Sequence, residues 1–428
     1  MRTFAFLLLT LFCVTGFAAR PEDLAADIEK ALNDGLKCWY PASVDPRGGF
    51  HSTFGNDWKL LPYKTKGIVH QARMTWTAAE VARRRPAWKE QLEPIAKQGI
   101  AFLREKMWDA DCGGFYWEIA EDGMPPTAHS EMKHAYGISF GIYAAATVYE
   151  LTKNDADLQL AKDAFFWLDR FGHDARYGGY REAFYRDGRP MLEPPSDRPD
   201  QKTGKVGEQF GGKSMNTHIH LLESFTVLYK VWPDPVLRSR LEELLRIIRD
   251  KITTRPAAMW QFFEADWTPA ATLVSFGHDV EAAFLMAEAI EVLGRSDDAE
   301  TLSVCKALID HSLRFGWDET YGGFYYYGAT YAQPVDRSKA WWVQAEGLNA
   351  LLFTYRRYGE TDVLYGQKFI AQWNFIKRSM IDAEHGGWFN AVSENGEHPP
   401  GERPPKMHFW KTAYHEIRAL LNVADALK

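Results

Sequence analysis

A short unit recurs along the chain: an Asp, a few residues, then Gly-Gly-aromatic. It reads DPRGGF at Gly48-Gly49-Phe50, DADCGGF at Gly113-Gly114-Phe115, DARYGGY at Gly178-Gly179-Tyr180, DETYGGF at Gly322-Gly323-Phe324 and DAEHGGW at Gly386-Gly387-Trp388. Gly48 and Gly113 are 65 residues apart, as are Gly113 and Gly178; Gly322 and Gly386 are 64 apart. The 144 residues between Gly178 and Gly322 hold two periods and an insertion, with a degenerate copy at Met259-Trp-Gln-Phe-Phe263. Six units at one period imply repeated supersecondary structure, each copy burying its apolar face on the next. Paired glycines supply the positive φ of a tight hairpin turn.

A helical pattern follows each hairpin, at Thr65–Arg84, His134–Leu151, Ser214–Val231, Phe276–Leu293, Ala340–Arg357 and Thr412–Leu427. These six are apolar on most faces, so burial on most sides is expected. More amphipathic helices, such as Ala156–Phe171 and Val236–Lys251, precede the hairpins. An outer helix, a hairpin and an inner helix, repeated six times and closed, make an all-α (α/α)6 barrel with short β-hairpins between helices. With 428 residues, 46% of them apolar, one large domain over 20–428 has ample core.

Residues 1–19 read as a secretory signal peptide: Arg2, a short apolar run, then small residues up to Ala18 and Ala19. Export to the periplasm or medium is therefore expected, with no membrane span in the mature form. Cys38, Cys112 and Cys305 are too few and too scattered for a disulfide framework or a zinc site. A net charge of −7 with interspersed signs and no long charge block gives no sign of a nucleic-acid partner, and none is expected. Sixteen Trp suit a protein that stacks on sugar faces, though a large core uses Trp as well.

The inner helices carry polar residues in their first two turns. These are His70 and Arg73; Lys133, His134 and Tyr136; Asn216, His218 and His220; His278, Asp279 and Glu281; Trp341, Trp342 and Glu346; and Trp410 followed by His415 and Arg418. Parallel inner helices bring these ends to one mouth. Asn216 and His220 share a helix face, as do His278 and Glu281. His218 and His220 point apart by roughly 200°, so they cannot chelate one metal from a regular helix, and His218 reads as a core histidine. His220, His278 and His415 read as functional. Arg73 on an apolar helix needs an anion or polar ligand. Neutral imidazoles at helix N-termini suit proton transfer, with Glu281 orienting His278. No phosphate loop or Ser-centred nucleophile motif is present.

The segments KSMNTHIHLLE, SFGHDVEA, KAWWVQAE and FWKTAYHEIRA resemble signature segments of the cellobiose 2-epimerases, in the N-acylglucosamine 2-epimerase superfamily. The likeness runs over essentially the whole mature chain, and that family has the (α/α)6 barrel. It implies that His278 and His415 exchange the C2 proton of a reducing-end sugar and that Glu281 supports His278. It implies that Asn216 and His220 bind the sugar and assist ring opening, that Arg73 stabilises an enediolate oxygen, and that Tyr136 contacts the sugar. Trp410 and one of Trp341 and Trp342 would stack on sugar rings. TAYH at 412–415 and the leader depart from the family pattern. The expectation is an exported, monomeric, cofactor- and metal-free epimerase of β-1,4-linked disaccharides. Mannose or N-acetylglucosamine epimerisation, an (α/α)6 glycoside hydrolase and a sugar-binding protein are the competing readings. The polar, Gly- and Pro-rich segment 194–212 reads as a lid over the pocket or as a surface insertion.

Overall fold

The inner helices close a ring. Outer and inner helices alternate along the chain: α1 (Ala25–Trp39), α2 (Ile68–Arg84), α3 (Pro86–Phe102), α4 (Ala135–Thr152), α5 (Asp155–Gly172), α6 (Met215–Val231), α7 (Pro235–Ile247), α8 (Phe276–Val292), α9 (Ala299–Phe315), α10 (Trp341–Tyr358), α11 (Leu364–Phe375) and α12 (Tyr414–Ala426). In this computed structural model α2 packs on α4, α4 on α6, α6 on α8, α8 on α10, α10 on α12, and α12 back on α2. The odd-numbered helices lie outside, and α1 covers α12. The structure describes residues 20–124, 132–196, 198–398 and 404–428; the leader expected over 1–19 lies outside them.

Burial follows the two helix types. Every residue of α4 from Ala135 to Val148 is buried, whereas α7 buries Leu237, Leu241, Leu244 and Leu245 at helical spacing. Cys38, Cys112 and Cys305 are free thiols. No helix among the described residues is long and apolar enough to cross a membrane.

Each Gly-Gly unit is a hairpin, bridged at Val44–Phe50, Trp108–Phe115, His173–Tyr180, Trp317–Phe324 and Ile381–Trp388; Thr253–Met259 is the degenerate copy. Gly113 and Gly114 have φ of 69° and 74°, and a Cβ on Gly114 would lie 2.9 Å from the Trp167 ring. The turn therefore demands glycine both for its backbone conformation and for space. The Asp that opens each turn is clamped by a buried lysine. Lys66 bonds Asp45 at 2.8 Å, Lys133 bonds Asp109 at 2.9 Å, Lys213 bonds Asp174 at 2.9 Å, Lys339 bonds Asp318 at 2.7 Å and Lys406 contacts Asp382 at 2.8 Å. The same ammonium groups donate to carbonyls of Gly48, Gly113, Gly178, Gly322 and Gly386. In the degenerate unit Thr254 stands at the Asp position and buried Val274 at the Lys position, so both partners are absent together.

A second clamp runs from the inner helix to the hairpin backbone. The Gln71 and Gln344 amides each bond the N–H and the C=O of Phe50 and Phe324 respectively. His218 Nε2 accepts from Tyr180 N at 3.0 Å, and Asp279 accepts from Met259 N at 3.0 Å. Lys133, His218 and Asp279 are thus structural.

The strands are short: β1 (Thr65–Gly67), β2 (Glu118–Ala120), β3 (Lys133–His134), β4 (Ala183–Phe184), β5 (Lys213–Ser214), β6 (Trp260–Phe263), β7 (Pro269–Ser275), β8 (Tyr327–Ala329), β9 (Pro334–Asp336), β10 (Lys339–Ala340) and β11 (Ala391–Val392). Thr65–Gly67, expected to open the first inner helix, is a strand paired with β2. Beyond the two-stranded sheets β1–β2, β3–β4 and β10–β11, β5 to β9 form one antiparallel five-stranded sheet in chain order, a larger sheet than expected. It forms where the glycine turn is missing and β6 and β7 lengthen.

Of the segment 194–212, residues 198–212 form a flap. A Thr203–Gln209 bridge closes its tip, and buried Glu208 accepts from Val206 N at 3.1 Å and meets His134 Nε2 at 2.9 Å.

Candidate active site

The N-terminal ends of the inner helices enclose a cavity of about 350 Å³. The ten residues to which the resemblance gives a role all line it: Arg73, Tyr136, Asn216, His220, His278, Glu281, Trp341, Trp342, Trp410 and His415. The unresolved choice between Trp341 and Trp342 resolves as both. Lys205, Val206, Tyr326, Tyr327, Asn390 and His408 complete the wall. Those six come from hairpins and the flap, where no periodic pattern marks an inward side chain.

Beneath the cavity one guanidinium gathers three carboxylates. Arg418 pairs with Glu223, with Glu281 at 2.6 Å and with Glu346 at 2.8 Å. Two of these carboxylates, or their neighbours, hold histidines. His415 Nδ1 lies 2.7 Å from Glu346, and His220 Nδ1 lies 2.9 Å from Glu223. A carboxylate on Nδ1 fixes the proton there and leaves Nε2 as the free base. Neither Glu223 nor the Glu346–His415 pairing was foreseen as an orienting contact.

Glu281 does not support His278. Its Oε1 bonds Arg418 and lies 4.0 Å from His415 Nδ1, whereas His278 Nδ1 is buried with no hydrogen-bond partner. The shared helix face is real, but the guanidinium draws the carboxylate toward α12. The His278 ring instead lies 4.5 Å from Trp342, whose indole is also 5.9 Å from the His415 ring. The two histidines therefore flank one tryptophan.

Burial sets the charge states. It pushes His278 down to about 3, helped by His220 and Arg73, and holds His415 well below the usual histidine value, helped by Arg73 and Arg418. Both rings are neutral at pH 7. Burial and Glu346 push Glu281 up to about 7, while burial of Glu223 is overcome by Arg418 and His220, which bring it down to about 2. Burial raises Glu346 as well.

Arg73 donates to the Tyr136 hydroxyl at 2.9 Å and to the Trp410 carbonyl at 3.2 Å, and lies over Phe140 at 4.3 Å. Its Nε and the Asn216 Oδ1 are buried without partners. Unpaired buried polar atoms facing a cavity are costly until a ligand meets them.

Among the described residues two sets of side chains have the reach of metal ligands: Glu281, Glu346 and His415, and His134, Glu182 and Glu208. Arg418 already supplies positive charge to the first. In the second, Glu182 accepts from Ser214 and Thr217, and Glu208 from the flap. A cation in either place would displace existing partners.

A profile of the N-acylglucosamine 2-epimerase (GlcNAc 2-epimerase) family matches residues 48–419. A cellobiose 2-epimerase from Bacteroides fragilis is 30% identical over 94% of this chain and 99% of its own length. The solved cellobiose 2-epimerase of Spirochaeta thermophila superimposes with a TM-score of 0.82 at 30% identity, covering 95% of this chain and 97% of that one. A D-mannose isomerase from Marinomonas mediterranea is 24% identical over 94% of this chain and 97% of its own length.

Proposed function

The chain belongs to the N-acylglucosamine 2-epimerase family of sugar epimerases, and on that premise we propose that it inverts C2 of the reducing-end glucose of β-1,4-linked disaccharides. Opening the sugar ring gives an aldehyde that acidifies the C2–H. One histidine removes that proton, Arg73 stabilises the enediolate oxygen, and the second histidine returns a proton to the opposite face. The protons balance: one leaves C2 for the free nitrogen of the first, neutral ring, which becomes cationic, and one reaches C2 from the second ring, which enters the step carrying an added proton taken up from solvent and leaves it neutral.

The observation that carries this reading is the pair of neutral rings, His278 and His415, set against one indole, with His415 oriented by Glu346. Hydrolysis fits less well. A glycosidase needs two carboxyl groups flanking the bond, whereas Glu281 and Glu346 converge on the same Arg418 nitrogen. Support for a disaccharide comes from the aromatic wall of Trp410, Trp341 and Trp342 and from the cellobiose 2-epimerase relatives. The D-mannose isomerase relative favours a second reading, isomerisation of free mannose. Export by the leader over 1–19 is part of the proposal. Purified protein incubated with cellobiose is expected to yield 4-O-β-glucosyl-mannose. Conversion of mannose to fructose with cellobiose untouched would overturn the substrate assignment.

A further inference from the structure

The flap carries into the cavity a cation that the epimerisation chemistry does not use. Lys205 lines the wall beside Val206 and is half-buried. Among the described residues its ammonium makes no hydrogen bond or ion pair; it lies over the Trp117 ring, 5.8 Å from its centre. The charges it feels are Glu118, Glu208 and Arg198. Glu208 is taken by His134 and by Val206 N, and Arg198 adds to the positive field. Burial depresses the lysine pKa more than the Glu118 and Glu208 carboxylates, neither in ion-pair contact with it, raise it.

Its place along the cavity follows from the rings. Tyr136 packs on His220 at 5.2 Å, Trp410 on Tyr136 at 6.0 Å, Trp117 on Trp410 at 6.1 Å, and Lys205 lies over Trp117. Among the described residues the ammonium thus connects to His220 only through Trp117, Trp410 and Tyr136 and makes no contact with the histidines itself. A sugar placed for proton transfer at the histidines leaves its glycosidic partner toward Lys205.

We propose that Lys205 forms a cationic subsite for the non-reducing unit, so that the preferred substrates are disaccharides bearing a carboxylate on that unit: hexuronosyl-1,4-hexoses with a neutral reducing end. The assignment of the reducing end rests on the epimerase reading above. A neutral ring alone leaves a half-buried ammonium short of the interactions it had in water. A carboxylate supplies charge-assisted hydrogen bonds, in a cavity that screens them less than bulk solvent does.

The test compares cellobiose with β-glucuronosyl-1,4-glucose, by calorimetric binding and by steady-state epimerisation, for the wild type, Lys205→Met and Lys205→Arg. The wild type is expected to favour the acid at least about tenfold at low salt, with the ratio shrinking in 0.5 M NaCl. Lys205→Met should bring the ratio near one, and Lys205→Arg should retain it. Equal or weaker binding of the acid by the wild type, or an advantage that survives Lys205→Met, overturns the subsite. Failure of the wild type to epimerise either sugar overturns the reaction, and the binding ratio still decides the subsite.

Discussion

His218 and His220 lie two residues apart on α6, and helical rotation turns one ring into a hairpin and the other into the cavity. His218 does for Tyr180 what the Gln71 and Gln344 amides do for their hairpins. His218→Gln should therefore keep kcat/KM within about twofold, while His220→Gln should lower it about a hundredfold or more, the scale of a lost acid–base or positioning group. Burial holds His218 at about 3 in the folded chain, well below its unfolded value of about 6.5. Protonation then favours the unfolded chain, so its contribution is fully present above about 6.5 and is lost as pH falls toward 3. Between pH 7.5 and 5, denaturant unfolding should show His218→Gln gaining about 2 kcal/mol relative to the wild type. A pH-independent difference would contradict that assignment. Glu346→Gln tests the orientation of His415: an amide cannot enforce the Nδ1–H tautomer, so kcat should fall about a hundredfold or more with KM little changed. A variant at wild-type kcat would remove Glu346 from the mechanism.

The hairpin clamps are the element on which the ring depends. Lys339 and Asp318 are both buried, and removing one leaves the other charge uncompensated, at a cost of about 3–5 kcal/mol. The degenerate unit shows how the protein does without the pair, with Thr254 and Val274 at the two positions. Lys339→Val alone should destabilise by about 3–5 kcal/mol, and Asp318→Thr with Lys339→Val should recover at least half of it, read from urea unfolding of the two variants. A double variant no better than the single one would show that the clamp acts through something other than its charges. These lysines were not legible as clamps in the sequence. The separation from Asp to Lys varies from 21 residues for Asp45 and Lys66 to 39 for Asp174 and Lys213, because whole strands and the flap intervene.

At the scale of the molecule, the ring and its mouth were legible because both follow from periodicity. The Gly-Gly period sets six units, and side chains in the first turns of six parallel helices must converge. What escaped is what periodicity does not encode. Glu223 lies in the third turn of α6, and Arg418 reaches it, Glu281 and Glu346 across the barrel axis, so the orienting contacts join residues far apart in the chain. The i, i+3 spacing of His278 and Glu281 put both on one face but could not show that Arg418 draws the carboxylate to His415 instead. Lys205, Asn390 and His408 enter from irregular segments whose inward direction only the closed ring defines. In the proposed reaction two histidines exchange the C2 proton of a reducing-end sugar. It is tested most directly by incubating the enzyme with cellobiose in D2O and reading C2 of the reducing unit in both epimers by NMR and mass spectrometry. One deuterium is expected at C2 of the glucosyl-mannose product, and no glucosyl-mannose from His278→Ala or His415→Ala variants that melt like the wild type. Product formed without deuterium at C2, or glucosyl-mannose formed at the wild-type rate by either folded variant, would contradict the proposal.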